Sequence, residues 1–171
     1  MKLDKIQRVI LANQLKILEA LYPDDAEFLA PKRTALEEGY ALHYEDLAES
    51  YYDELPEEEC KFVLDVLDMY RSITFSYREM EDKSGVSNED IRFKGFDGNN
   101  ETQYMAYCRY FIDDLGRFQE LIEGQEYHDF NSHTPMIQIY RDRLASWREL
   151  QENFFLTKGK IKEILGLRDR S

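Results

Sequence analysis

Residues 56–81 read PEEECKFVLDVLDMYRSITFSYREME, and this stretch decides the fold class. Pro56 suits the first position of a helix, where its missing N–H costs nothing, and Glu57, Glu58 and Glu59 sit on the positive end of the helix dipole. From there Phe62, Val63, Val66, Leu67, Met69, Tyr70, Ile73, Tyr77 and Met80 cover most of the helix circumference. Only Lys61, Asp65, Asp68, Ser72, Ser76 and Glu79 remain as a narrow polar strip. A helix that is apolar nearly all round must be surrounded by other helices. The chain has few breakers to interrupt such partners, with 8 Gly and 4 Pro. The expected fold is therefore all-α: a multi-helix bundle with an N-terminal helical hairpin and no significant sheet.

Working back from Pro56, residues 44–54 read as a short Tyr-rich helix. Before it, Phe28, Leu29, Ala35 and Leu36 give a helix over 25–38, with Gly39 at the C-cap position and Asp24 or Asp25 as candidate N-caps. Pro31 is either tolerated early in this helix or kinks it. Residues 3–22 form the first helix, through Leu3, Ile6, Ile10, Ile17 and Leu21, with Leu11, Leu15 and Leu18 widening the stripe. The short Tyr22–Asp25 turn makes the first two helices an antiparallel hairpin. Working forward, 82–98 is an Asp/Ser/Asn/Gly-rich connector in which Ile91–Lys94 alternates too briefly for a sheet. A long helix is expected over 99–122 (Tyr104, Cys108, Phe111, Leu115, Phe118, Ile122), capped by Asn99 or Asn100. A loop over 125–133 precedes a helix started by Thr134-Pro135 and running to about 151. Thr157 caps a last short helix. No repeat or linker divides the chain. It reads as a single all-helical unit over 1–171, with 1–40 as a hairpin subdomain and 41–171 as the main helical body.

The charge narrows the function classes. A formal net charge of −13 repels phosphate backbones and anionic lipid, and argues against nucleic acid as a partner. Lys158, Lys160, Lys162, Arg168 and Arg170 form a basic end that more simply complements the acidic body than reads DNA. No apolar run reaches the ~18 residues of a membrane span, and the start of the chain lacks the apolar core of a signal peptide, so cytoplasm is the expected location. Cys60 and Cys108 fall within apolar helical patterns, as reduced buried thiols do.

The chemistry that can be sought by motif is missing from the sequence. There is no G-x-G-x-x-G, no P-loop and no G-x-S-x-G. The residues three before His43, His128 and His133 are Tyr40, Gln125 and Phe130, which excludes the Glu-x-x-His of di-iron bundles. Neither a cofactor, nor a metal, nor a catalytic residue is assigned. Asp97-Gly98-Asn99-Asn100-Glu101 opens like a calcium loop, but Thr102 and Cys108 stand where the glycine and the closing carboxylate belong, so it reads as a turn. Arg109, Asp113 and Arg117 are spaced i, i+4, i+8: an ion-pair ladder on a solvated face, or a pair of arginines holding an anion near the 91–98 connector. His128 and His133 flank a loop and have no nucleophile beside them in sequence.

Several stretches together resemble the YfbU-like family of uncharacterised bacterial proteins. They are Gln7–Gln14, Glu38-Gly39-Tyr40, Gly95-Phe96-Asp97, Glu101 with Tyr104, Tyr107, Arg109-Tyr110, Gly116-Arg117, and Thr134-Pro135-Met136 with Tyr140 and Trp147. The resemblance spans nearly the whole chain. It implies an all-helical fold with a helical hairpin beside a larger helical domain, and brings no activity, cofactor or catalytic residue with it.

Two functional expectations follow. The first is a cytoplasmic regulatory or protein-interaction module that self-associates as a homodimer or higher homo-oligomer. Its basis is the lack of a catalytic constellation, the 12 tyrosines, and a first helix with more apolar residues than one neighbour can cover. The line Leu3, Ile6, Ile10, Asn13, Ile17, Ala20 alternates spacings of 3 and 4, and helix 2 can cover either it or the Leu11–Leu15–Leu18 line, which leaves the other to a second copy or to the central 56–81 helix of the same chain. The second is a small-molecule or anion-binding protein, possible enzymes included, whose site gathers Asp97, Tyr104, Arg109 and Arg117 where the connector meets the arginines.

Overall fold

Helix α3 (Glu57–Glu79) buries Val63, Val66, Leu67, Met69, Tyr70, Ile73 and Tyr77, as its all-round apolar surface requires. The structure, a computed structural model, describes residues 1–125, 128–150 and 154–167. Among these the chain is all-α and contains no strand. It divides into two compact units, Met1–Glu54 and Leu55–Ser171.

In the first unit, α1 (Lys5–Leu21) and α2 (Ala26–Glu38) are joined by the single 3-10 turn Pro23–Asp25. They run antiparallel: Arg8 Nη1 donates to Leu36 O (3.1 Å) near one end, and Arg33 Nε to Glu19 Oε1 (2.9 Å) near the other. A capping box starts α1, with Asp4 and Gln7 exchanging side-chain-to-backbone bonds at 2.8 and 2.9 Å. Gly39 ends α2 at φ 80°, the left-handed C-cap that only glycine takes without cost. Asp25 precedes α2 without a side-chain capping bond, and Pro31 lies inside the helix. The core of this unit is Ala12, Leu36 and Tyr44, with Leu3, Leu11, Leu15 and Leu47 packed against it. The helix expected over 44–54 does not form. The 3-10 turns Ala41–His43 and Glu45–Leu47 anchor Tyr44, and Tyr51 and Tyr52 stay exposed. A short acidic segment with one buried side chain cannot offset the cost of nucleating a helix.

In the second unit, α3 is packed by α4 (Asn88–Ile91), α5 (Thr102–Arg109) and α6 (Ile137–Glu149), and α7 (Lys158–Leu165) packs on α6. Two members of the expected polar strip are buried. Ser72 Oγ donates to Asp68 O (3.0 Å), while Ser76 Oγ donates to Phe154 O (3.2 Å) and accepts from Leu156 N (2.8 Å). Small hydroxyls with local partners can sit inside a bundle where Asp or Lys could not. The helix expected over 99–122 is broken. After α5 the chain widens into a π turn, Tyr110–Asp114, and then reverses through Gly116 (φ 62°) and Phe118 (φ 57°). Phe118 thereby enters the core, with the Arg71 guanidinium 4.0 Å from its ring centroid, and Leu115, expected inside, is exposed. Residues 91–94 form no strand. The nearest thing to sheet is one bridge, Phe96 with Asn131, where Phe96 N donates to Phe130 O (2.9 Å) and Ser132 N to Phe96 O (3.1 Å).

Helix α6 begins later than Thr134-Pro135 predicts, at Ile137. Its first amides are capped from elsewhere: the buried Glu101 carboxylate accepts from Met136 N (2.8 Å) and Ile137 N (2.9 Å) through Oε1, and from Asp97 N (3.0 Å) through Oε2. Glu101 also stands at the N-cap of α5, so neither Asn99 nor Asn100 caps that helix. Thr157 does cap α7, accepting from Lys160 N. Cys108 is buried and its thiol is pushed well up by desolvation, while Cys60 is half-buried and donates to Leu55 O (3.5 Å). Among the described residues no helix is long and apolar enough to cross a membrane.

Candidate functional site

Two surfaces stand out. The first is the outer face of α1. Arg8, Leu11, Ala12 and Leu15 face the hairpin interior and are buried or half-buried. The opposite line is open to solvent: Ile6 is 72% exposed, Val9 53%, Ile10 52%, Ile17 58% and Leu21 65%. In heptad terms Ile6, Ile10, Asn13, Ile17 and Ala20 occupy successive a and d positions, while the residues packing on α2 occupy b, c and f. The helix thus keeps an uncovered apolar line at heptad spacing. Asn13 lies in its middle, exposed, and the flanking positions Gln7, Val9, Gln14, Lys16 and Leu21 carry a single charge. Phe28 on α2 and Leu42 after it add to the exposed apolar area of this unit.

The second surface lies in the other unit, between the connector and the loop before α6. A cleft of about 420 Å³ is lined by Arg92, Phe93, Lys94, His128, Phe130 and His133, among others. It adjoins a second cleft of about 530 Å³, with Glu89, Arg92, Phe93 and Gln125 common to both. Volumes of this order accommodate small metabolites. The walls are held tightly. A Cβ on Gly95 would meet Phe130 O at 2.0 Å, so only glycine lets the connector press its backbone onto the loop. Asn131 Oδ1 accepts from Gly98 N and from His133 N, both at 3.0 Å. Phe130 and His133 are held at φ 58° and 55°, a conformation that non-glycine residues rarely adopt.

The four residues singled out from sequence do not gather into one pocket. Asp97 is buried and turned into its own loop. Its carboxylate accepts from the Asn100 side-chain amide (2.5 Å) and Asn99 N (3.1 Å), which hold its pKa below the usual carboxylate value. Tyr104 is half-buried against Phe62 and Phe96, at centroid distances of 6.1 and 5.7 Å, and desolvation followed by the nearby Glu59 carboxylate raises its pKa. Arg109 points outward and donates to Asp129 O (3.0 Å), bracing the loop that walls the cleft. Arg117 lies beyond the helix break, over the Phe111 ring. The i, i+4, i+8 ladder is therefore not formed: the break moves Arg117 off the helix, and Asp113 faces His128 at 3.2 Å. Arg92, Lys94, His128 and His133 were not read as a group in the sequence. The only signal was that two of the three histidines flank one loop. The basic C-terminal residues are partly engaged, Lys158 with Asp82 (2.5 Å) and Ser84 (3.1 Å), and Arg168 and Arg170 lie outside the described residues. Among the described residues no three His, Cys, Asp or Glu side chains cluster as a metal site would need.

A family model described as the YfbU domain matches residues 1–166. A similar curated relative is the UPF0304 protein MJECS11 of the archaeon Methanocaldococcus jannaschii, 37% identical over 167 residues, which covers 95% of this chain and 98% of that protein.

Proposed function

The chain belongs to the YfbU domain family, a membership that leaves its work to be argued from its own surfaces, and we propose that it is a cytoplasmic regulatory or protein-interaction module that self-associates through the outer face of α1. The observation that carries this reading is the open seam of Ile6, Ile10, Asn13 and Ile17, with Val9 and Leu21 beside it. Monomeric proteins rarely leave so continuous an apolar stripe in water. Covering five such side chains in each of two copies returns roughly 10–20 kcal/mol at the usual area coefficient. That is the same order as, or more than, the roughly 4–15 kcal/mol cost of bringing two molecules together.

A second copy is the occupant that fits. The seam is self-complementary at a and d, its flanks carry too little charge to repel a copy, and Asn13 can meet its own counterpart in a parallel pair and set the register. The test is a chemical trap. Asn13→Cys should form an intermolecular disulfide under mild oxidation, while the unsubstituted chain, with Cys108 buried and Cys60 half-buried, should not. A dimer that the introduced thiol fails to trap would place the interface on another surface.

A further inference from the structure

We propose that the cleft between Arg92–Lys94 and the 128–133 loop is a binding site for a phosphate monoester. Two of the three histidines in the chain converge on it, opposite an arginine and a lysine from the connector. In a molecule of net charge −13, the Arg92 guanidinium and the Lys94 ammonium meet two imidazoles here, beside the Glu89 and Asp129 carboxylates that also line the cleft. Among the described residues, no hydrogen bond or ion pair fixes the Lys94 ammonium or the His133 ring. Arg92 is only lightly engaged, donating to Gln125 Oε1 (3.0 Å) with Glu89 at 3.7 Å. Of the carboxylates around the cleft, Glu89 approaches Arg92 only to 3.7 Å, Asp113 pairs with His128 (3.2 Å), Asp129 accepts from Asn131 N (3.0 Å), and Asp97, whose charge His133 feels, is satisfied by Asn99 and Asn100.

The loop is built before any ligand arrives. Two left-handed non-glycine residues within four positions, the Asn131 clasp and the Gly95 backbone contact fix the wall that carries His133. Strain of this kind clusters at ligand sites, where a fixed wall avoids the cost of ordering a loop on binding. The donors differ in shape: a guanidinium fork, a point-charge ammonium and an imidazole. A phosphate monoester presents three terminal oxygens and up to two charges, enough for all three groups, whereas a carboxylate presents two oxygens and one charge. The adjoining cleft of about 530 Å³ gives room for the body that carries the phosphate.

The test is an amide-detected NMR titration of the full chain with inorganic phosphate and with phenyl phosphate, at ionic strength held constant with chloride, and with benzoate as the carboxylate arm. Saturable shifts at Arg92, Lys94 and His133 are expected with both phosphates. Lys94→Ala and His133→Asn should each weaken binding about tenfold, the value of one charge-assisted hydrogen bond. Asparagine tolerates the left-handed backbone at 133, so that variant keeps the loop. Lys61→Ala, on α3 and paired with Glu57, should bind as the unsubstituted chain does. Shifts reproduced by chloride alone, saturation by benzoate without phosphate, or both cleft variants titrating like the unsubstituted chain would overturn the proposal.

Discussion

At the scale of single residues, Glu101 does the most that sequence reading missed. One carboxylate satisfies the first amides of α6 and the Asp97 amide at the start of the preceding turn, tying the connector to a helix 35 residues away in sequence. Thr134-Pro135 looked like a sufficient start signal because caps are usually local, and nothing in local spacing marks a cap supplied from elsewhere. Removing it would leave three backbone N–H groups without their acceptor, at least two of them buried, and such groups cost about 1–3 kcal/mol each. Glu101→Ala should therefore lose roughly 2–4 kcal/mol in urea unfolding, and Glu101→Gln less, since its amide keeps one acceptor oxygen. A loss in Glu101→Ala below about 1 kcal/mol would mean that solvent or a local rearrangement replaces the cap. Asp97, singled out from sequence as a possible ligand-binding residue, turns its carboxylate to Asn99 and Asn100 in the same loop. Residue type alone could not separate the two uses.

At the scale of elements, α3 was legible because its apolar residues leave almost no polar face, a pattern that only a central helix satisfies. Its centrality makes a direct prediction. Val66→Asp or Leu67→Asp puts an unpaired carboxylate in a fully buried position, at a cost of several kcal/mol against a total stability of roughly 5–15 kcal/mol. Both variants should fail to show a cooperative thermal transition near that of the unsubstituted chain, followed by circular dichroism at 222 nm. The hairpin, the Gly39 cap and the Thr157 cap were equally readable, since each rests on residues adjacent in sequence. The stretch after Arg109 was not. Its apolar spacing supports continuous helix to Ile122, yet the chain leaves the helix at Gly116 so that Phe118 reaches the core beneath Arg71. A glycine within a helical pattern is tolerated often enough that its presence did not locate the break. The same break undid the expected arginine ladder, and the cleft was not legible because its walls, drawn from 89–94 and 122–133, are distant in sequence. The 44–54 segment, expected as a short Tyr-rich helix, lacks the apolar face to hold one: of its tyrosines only Tyr44 is buried, and Tyr51 and Tyr52 are exposed.

At the scale of the whole molecule, sequence and structure meet on the first helix. Its two apolar lines were visible as spacings: the hairpin core takes Leu11 and Leu15 of one line but leaves Leu18 exposed, and of the other it takes Leu3 while Ile6, Ile10 and Ile17 remain in water. The chain is strongly acidic, but its charges leave this line nearly free, so in the proposed dimer electrostatic repulsion between copies would act away from the contact. Self-association through the seam and anion binding in the cleft rest on different units and stand or fall separately. The measurement that bears most directly on the first is sedimentation equilibrium at micromolar concentration. Self-association through α1 predicts a species of twice the 20.4 kDa chain mass for the unsubstituted protein, and 20.4 kDa for a folded Ile10→Glu variant with an unchanged helical spectrum. A clean 20.4 kDa species for the unsubstituted chain would contradict it.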